Sequence, residues 1–499
     1  MRQPLDPSVT SLRPALLLSL VALPLAGLSG CVGPGAADRG APVADSASFE
    51  VTTDGNIEEW PADVAATADE TYAYFRVRIA GEPYTLQAAR ETTALWIDTD
   101  NNPATGMPAY FGPAAAGVPA KLGVDLEIQF SPFDKAKSAT RSGAALLRVG
   151  RDGSRVSVPR EFAEDLHFAP TYAAPWYEVR LSRRVAEFGK SFAGAAVLLS
   201  ASGAIEGYSE PFASAAPAAG PQRSLASAEL PTCPPGAVRV MTFNVLKNKP
   251  LEDAGRFKSI LAALKPDIIL VEEWDAGEEK LRGWFTAHVP GAGEWNVVGG
   301  DADVAIVSRF PLERLAAEPT TPDENGKPRP VRLVAAAATT PSGKVLAAAM
   351  HLKCCGSSGS SEDNRRLAEA RAANQALSSL IGADDYALLA IGGDLNLVGT
   401  RPPLDLLRAG LDSGSDLEIA PARVLGDRTY YTWSEPRNAF APGRLDFLLT
   451  GPGGARVAEA FVLDTTRLDE ASLAKMGLAA EDSGASDHLP VVADVFPRQ

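Results

Sequence analysis

Tyr386-Ala-Leu-Leu-Ala-Ile-Gly-Gly-Asp-Leu-Asn396 is an apolar run of strand length that ends on paired glycines and then presents two polar side chains. Residues 388–391 lack the alternation of a half-exposed strand, so the run reads as a strand buried on both faces. Asp394 and Asn396 lie two residues apart, a spacing that sends both side chains to the same side of an extended chain. A polar pair at the mouth of a buried strand marks the lip of a cleft. Just upstream, residues 362–381 carry helical spacing at Leu367, Ala370, Ala373, Leu377 and Leu380, with Gly382 as a stop. Earlier still, 238–246 reads as a strand, 252–264 as a helix with Phe257, Ile260, Leu261 and Leu264 on one face, and 267–273 as a second buried strand. Buried strands alternating with helices predict an α/β fold for residues 237–499. The pattern does not dictate how the strands join into sheets.

Other phrases stand in order around the opening stretch. Before it come Met241-Thr-Phe-Asn-Val245, Pro266-Asp-Ile-Ile-Leu-Val-Glu-Glu-Trp274, Val304-Ala-Ile-Val-Ser-Arg-Phe-Pro311 and Met350-His-Leu352. After it come Tyr430-Tyr-Thr-Trp433, Gly443-Arg-Leu-Asp-Phe447 and Ser486-Asp-His488. Together they resemble the endonuclease/exonuclease/phosphatase superfamily, which includes deoxyribonuclease I, abasic-site endonucleases and bacterial sphingomyelinases. The resemblance spans essentially all of 237–499. It implies a four-layer α/β sandwich, two mixed β-sheets packed face to face and flanked by helices.

The resemblance also implies roles. Phosphoester hydrolysis needs a polarised phosphoryl oxygen, an oriented water and help for the leaving oxygen. Glu273 matches the family's metal ligand, a hard oxygen suited to Mg²⁺ or Mn²⁺. Asn244 matches the position that supports metal or phosphate, and Asp487 is a further ligand candidate. Asp394 and Asn396 match the pair that orients water and holds phosphoryl oxygens. His488 matches the phosphate-contacting histidine, with Asp446 as the carboxylate that orients it and favours its charged form. His351 matches a second histidine, for which no orienting carboxylate can be named from sequence. Glu272 departs from the usual glutamine and adds charge beside the metal position. Arg365 and Arg366 read either as phosphate contacts or as solvated charges at a helix start. Trp433 reads either as a buttress or as a stacking platform. His167 and His288 have no motif context and are expected at the surface.

Upstream, Tyr72-Ala-Tyr-Phe-Arg-Val-Arg-Ile79, Ala94-Leu-Trp-Ile97, Val124-Asp-Leu-Glu-Ile-Gln-Phe130 and Trp176-Tyr-Glu-Val-Arg-Leu181 have period-two, aromatic and β-branched content. They predict an all-β sandwich over 48–212. With Thr53-Asp-Gly-Asn-Ile-Glu-Glu-Trp-Pro61 and Trp96-Ile-Asp-Thr-Asp-Asn-Asn-Pro-Ala-Thr-Gly106, this region resembles family-9-type carbohydrate-binding modules. Asp98, Asp100 and Asn102 could place oxygens around Ca²⁺, or simply satisfy a turn. Trp60 and Trp176 read either as core aromatics or as a glycan-contacting platform. Residues 213–236, rich in Ala, Pro, Gly and Ser, read as a linker.

The first thirty residues read as an address. Arg2 and Arg13 precede the apolar run 15–28, and Leu28-Ser-Gly-Cys31 resembles a bacterial lipobox. That predicts a signal over 1–30, a lipid on Cys31 as the membrane contact, a tether over 31–47, and an exported lipoprotein at the outer membrane or cell surface. Cys233 with Cys354 or Cys355, a strained Cys354–Cys355 bond, and free thiols are all open pairings in an oxidising compartment. The formal net charge of −15 weighs against tight duplex binding, which depends on Lys and Arg at phosphates. The reading is therefore an exported, metal-dependent phosphodiesterase. Its substrate is nucleic acid, as in an extracellular endonuclease, or else a lipid headgroup or a smaller phosphoester, a phosphomonoester included. A rival of another class is an inert sugar-binding surface protein. No protein partner is indicated.

Overall fold

The computed structural model describes residues 49–498 except 80, 112–120, 135, 138, 159–165, 201, 221–224, 290–293 and 452. The expected signal (1–30), lipid-bearing Cys31 and tether (31–47) lie outside the described residues.

The downstream half builds two sheets. One has seven strands in the order Asn296–Gly299, Val304–Ser308, Ile268–Glu272, Val238–Asn244, Val491–Phe496, Arg456–Val462 and Arg423–Val424. The other has six, in the order Leu312–Leu315, Leu333–Thr340, Gly343–His351, Leu388–Asp394, Asp446–Gly451 and Glu418–Ile419. Both are mixed: Val238–Asn244 runs parallel to Ile268–Glu272, and Gly343–His351 runs parallel to Leu388–Asp394.

Strand alternation explains why every central strand is apolar on both faces. Val238 and Val240 point between the sheets with Leu270, Leu388 and Ala390. Met241 and Phe243 point outward, onto Phe257, Ile260 and Leu264 of helix Ala254–Leu264. On the other sheet Leu389 and Ile391 meet Ala370, Ala373 and Leu377 of helix Ser361–Ile381. The result is helix, sheet, sheet, helix: a four-layer α/β sandwich, as the motifs implied. Ser360 caps the long helix by accepting the Asp363 N–H, and Gly382 closes it. Among the described residues no helix is long and apolar enough to cross a membrane.

The upstream half is a β-sandwich. A four-stranded antiparallel sheet runs Ala66–Ala68, Tyr72–Arg78, Trp176–Ser182, Leu166–Ala169. It faces a larger sheet built on Thr92–Asp98, Leu126–Phe130 and Ser191–Leu199. Phe75, Val77, Ile97, Ile128, Val179 and Phe192 fill the space between. Trp60 is a core residue, its indole N–H donating to Glu178 Oε1 at 2.8 Å, and so is not a glycan platform. Trp176 is half-buried, with the Arg76 and Arg78 guanidiniums 4.8 and 5.6 Å from its ring centre. The Asp98 and Asp100 carboxylates meet Asp125, whereas Asn102 turns its side-chain oxygen to the Ala104 N–H.

The stretch read as linker is pinned in place. Phe212–Ala215 is a strand paired with Ser191–Leu199, so the sandwich extends beyond 212. Ala226 bonds through its backbone to Arg467 and Asp469, and Leu230 packs on the downstream core. Small apolar residues here fit against a surface, which composition alone cannot distinguish from a free tether.

The two halves share a buried ion cluster. Arg180, 1% exposed, pairs with Asp427, which also takes Arg467 Nη2 at 3.0 Å. His167, expected at the surface, is buried and stacks on Tyr431 at 4.8 Å. His288 stacks on Trp284 and is half-buried. Among the described residues no cysteine is disulfide-bonded. Cys233 lies against the Ala237 carbonyl, while the Cys354 and Cys355 sulfurs are 2.7 Å apart.

Candidate active site

Five strand ends converge at one edge of the paired sheets. Register sets this up: His351, Asp394 and Asp446 stand side by side across three neighbouring strands. Asn244 and Glu272 are likewise paired across two strands of the opposing sheet. Gly393 makes the approach possible. It sits at φ +137°, and a Cβ there would lie 1.9 Å from the Met350 carbonyl oxygen.

Asp394 Oδ2 is the focus. It accepts from Asn396 Nδ2 at 2.9 Å and from Asn244 Nδ2 at 3.2 Å. His351 Nε2 lies 3.4 Å away and His488 Nε2 3.7 Å. The other oxygen accepts the Asn396 backbone N–H at 2.9 Å, a turn made by Asn396 at φ +49°. Burial raises the Asp394 carboxyl above the usual carboxylate range, opposed by the His488 and His351 charges.

Each histidine is held from behind. His488 Nδ1 donates to Asp446 Oδ2 at 2.9 Å, and Thr432 Oγ1 donates to the same oxygen at 2.6 Å. Burial alone would lower the imidazole, but the Asp446 and Asp394 carboxylates outweigh it and raise it to about 10. His488 is therefore an imidazolium at neutral pH. His351 Nδ1 lies 2.7 Å from both Asp303 Oδ2 and Arg332 Nη1. Asp303 is thus the orienting carboxylate that sequence could not supply. Asp-Ala-Asp303-Val304 opens the Val304 motif, but nothing local ties it to a histidine 48 residues on.

Glu273 arrives in a left-handed turn at φ +60° and accepts from Asn244 Nδ2 at 3.2 Å and from the Lys247 N–H at 3.0 Å. Asn244 thus bridges Glu273 and Asp394. Asp487 takes the Trp433 indole N–H at 3.0 Å on one oxygen, which makes Trp433 a buttress. The other Asp487 oxygen and Asp446 Oδ1 are buried with no partner. Glu272 is fully buried, donated to by Thr242 Oγ1 at 3.0 Å. Burial and the neighbouring Asp446 raise its carboxyl well above the ordinary value, which favours the protonated form. Arg366 is likewise buried, donating to the Lys353 and Cys355 carbonyls, and Arg365 pairs with Glu369. Both arginines shape the loop rather than face the cleft.

The donor chemistry fits a hard divalent cation. Glu273, Asp394 and Asp487 offer carboxylate oxygens, Asn244 an amide, and orphaned buried oxygens are what such an ion relieves. Asp394, Asp446 and His488 form a tighter grouping, in which His488 is hydrogen-bonded to Asp446 and stands 3.7 Å from Asp394.

Residues 241–488 match the model of the Endonuclease/Exonuclease/phosphatase family. Residues 241–488 are an endonuclease/exonuclease/phosphatase domain. No curated protein matches the chain. Among solved structures, the chain aligns with beta toxin from Staphylococcus aureus at 16% identity and TM-score 0.34, covering 51% of this chain and 99% of that one. It also aligns with the 3′ phosphatase NExo from Neisseria bound to product DNA hairpin, at 19% identity and TM-score 0.34, covering 52% and 98%. The AP endonuclease from Archaeoglobus fulgidus aligns at 17% identity and TM-score 0.33, covering 51% and 98%.

Proposed function

We propose that this protein is an exported, divalent-metal-dependent phosphodiesterase acting at the cleft around Asp394. The observation that carries the reading is the convergence of Asn244, Asn396, His351 and His488 on one buried carboxylate oxygen, with Glu273 attached through Asn244. A bound Mg²⁺ or Mn²⁺, held by Glu273 with Asn244 and Asp487 nearby, would polarise a phosphoryl oxygen. Asp394 has the position and the raised carboxyl to take a proton from an attacking water. Asn396 and Asn244 fix its orientation. His488 holds positive charge where negative charge builds on the phosphoryl oxygens, and Asp446 keeps it charged. His351, steadied by Asp303, sets its Nε2 3.4 Å from Asp394 Oδ2 as a second imidazole beside it. The charged leader and the lipobox-like Leu28-Ser-Gly-Cys31 support export and membrane tethering through Cys31.

The test is hydrolysis of bis-p-nitrophenyl phosphate, plasmid DNA, RNA and sphingomyelin with Mg²⁺, with EDTA, and with His488→Ala and Asp394→Ala. At least one substrate should be cleaved, with loss of about 10²-fold or more in either variant and in EDTA. Hydrolysis that survives both substitutions would refute the assignment.

A further inference from the structure

The cleft that exposes Asp394 and His488 is not built by the downstream domain alone. Thr85, Gln87, Ala88, Ser142 and Thr171 of the β-sandwich line the same cavity. These residues are fastened to the catalytic half at defined points. Thr85 Oγ1 donates to the Val398 carbonyl at 3.0 Å, two residues beyond Asn396, and accepts the Ser358 N–H at 3.1 Å. Gln87 Oε1 accepts the Ala441 N–H at 2.7 Å, and the Ala144 N–H donates to the Ala439 carbonyl at 2.9 Å. Thr171 Oγ1 accepts the Arg444 N–H at 2.9 Å, two residues before Asp446. The sandwich is thereby held to both loops that carry the site.

Two independent features of this walled cavity bear on substrate. Its volume is about 660 Å³, within the roughly 300–1,000 Å³ of small-molecule sites. Its lining, among the described residues, includes no Lys or Arg; the acidic side chains are Glu273, Asp394 and Asp487, beside His351 and His488. Duplex nucleic acid is held chiefly by Lys and Arg neutralising successive phosphates, and this wall offers none. Phe440, Trp433, Ala441 and Ala88 instead give apolar surface beside the reacting centre.

We infer that the upstream sandwich is a specificity wall of the active site, confining the enzyme to compact phosphodiesters with uncharged organic substituents and excluding duplex nucleic acid. This rests on the hydrolase reading above and narrows it. Ser142 is exposed, Ala88 is half-buried and both line the cavity, so a larger side chain at either adds bulk to the wall. Val156, 65% exposed and outside the cavity lining, is the control for added bulk.

The experiment uses the full mature chain with Mg²⁺, and compares bis-p-nitrophenyl phosphate, supercoiled plasmid and sphingomyelin vesicles for wild type, Ser142→Trp, Ala88→Trp and Val156→Trp. The expected result is EDTA-sensitive cleavage of the small diester, intact plasmid and vesicles, and KM for the small diester raised at least fivefold in both wall variants with Val156→Trp unchanged. Plasmid nicking or sphingomyelin cleavage that outpaces the small diester overturns the proposal and leaves the hydrolase reading standing. Wall variants that retain wild-type KM and melting temperature do the same, because a mere spacer predicts them. Wild type that hydrolyses none of the three refutes the hydrolase reading, and the wall proposal with it.

Discussion

Asp446→Asn is the sharpest probe of the site, because it keeps shape and removes charge. Asp446 Oδ2 is 2.9 Å from His488 Nδ1, and it is the larger of the two carboxylate contributions that hold the imidazole at about 10. At pH 7.5 the wild-type ring is charged almost completely. With Asn in place, the ring falls toward its ordinary value of about 6.5, and only about a tenth of it carries charge at pH 7.5. Charge loss alone then lowers kcat about tenfold at pH 7.5. At pH 5.5 a group of that pKa is again about nine-tenths protonated, so the wild-type-to-variant ratio should shrink by nearly that factor. Steady-state kinetics on the best substrate at both pH values, with melting curves to confirm folding, make the comparison. A defect of equal size at both pH values would refute the electrostatic role and leave Asp446 as a positioning group only. Stability should follow the same sign in metal-free protein. A raised histidine contributes fully below about 6.5 and loses that contribution as pH climbs through about 10. The melting temperature should therefore fall more steeply above pH 7 in wild type than in Asp446→Asn.

Further outcomes follow from other buried charges and from one glycine. Asp427→Asn strands Arg180, 1% exposed, and should destabilise the protein by about 3–5 kcal/mol, measured by chemical denaturation. Burial works against the Asp427 charge, but Arg180 and Arg467 hold its carboxyl far below the ordinary range. Its stabilisation is therefore present above about pH 4 and is lost on acidification below that, and the variant should flatten this acid limb. Glu272→Gln replaces a buried carboxyl of raised pKa by its neutral isostere. In EDTA it should raise the melting temperature at pH 8, with the gain vanishing near pH 4, where the unfolded carboxyl is also protonated; a lower melting temperature at pH 8 would show that Glu272 is charged. Gly393→Ala forces a Cβ to 1.9 Å from the Met350 oxygen and should abolish soluble expression, whereas Gly410→Ala, with open space around it, should fold.

Much of the downstream architecture was legible because a strand buried on both faces must be apolar throughout, and Leu388 to Ile391 is. The motif residues Asn244, Glu273, His351, Asp394, Asn396, Asp446, Asp487 and His488 could be named from spacing and resemblance, since each ends a strand or a tight turn. Their partners could not. Asp303 reaches His351 across the sheet, and Arg366 turns inward to two loop carbonyls, because neither contact leaves a periodic mark on the chain. Glu272 reads as an extra charge in one dimension, yet desolvation, which depends on surroundings from distant segments, raises its carboxyl well above the ordinary value. The sandwich was readable from period-two alternation, but its place at the cleft was not. Thr85, Gln87 and Ser142 are ordinary polar residues until packing sets them opposite Val398 and Ala441, more than 300 residues away for the two bonded pairs. Sequence by itself determined which groups can do chemistry. Tertiary structure decided their charge states and what can reach them, because both depend on distance and solvent exclusion, which only the folded chain defines.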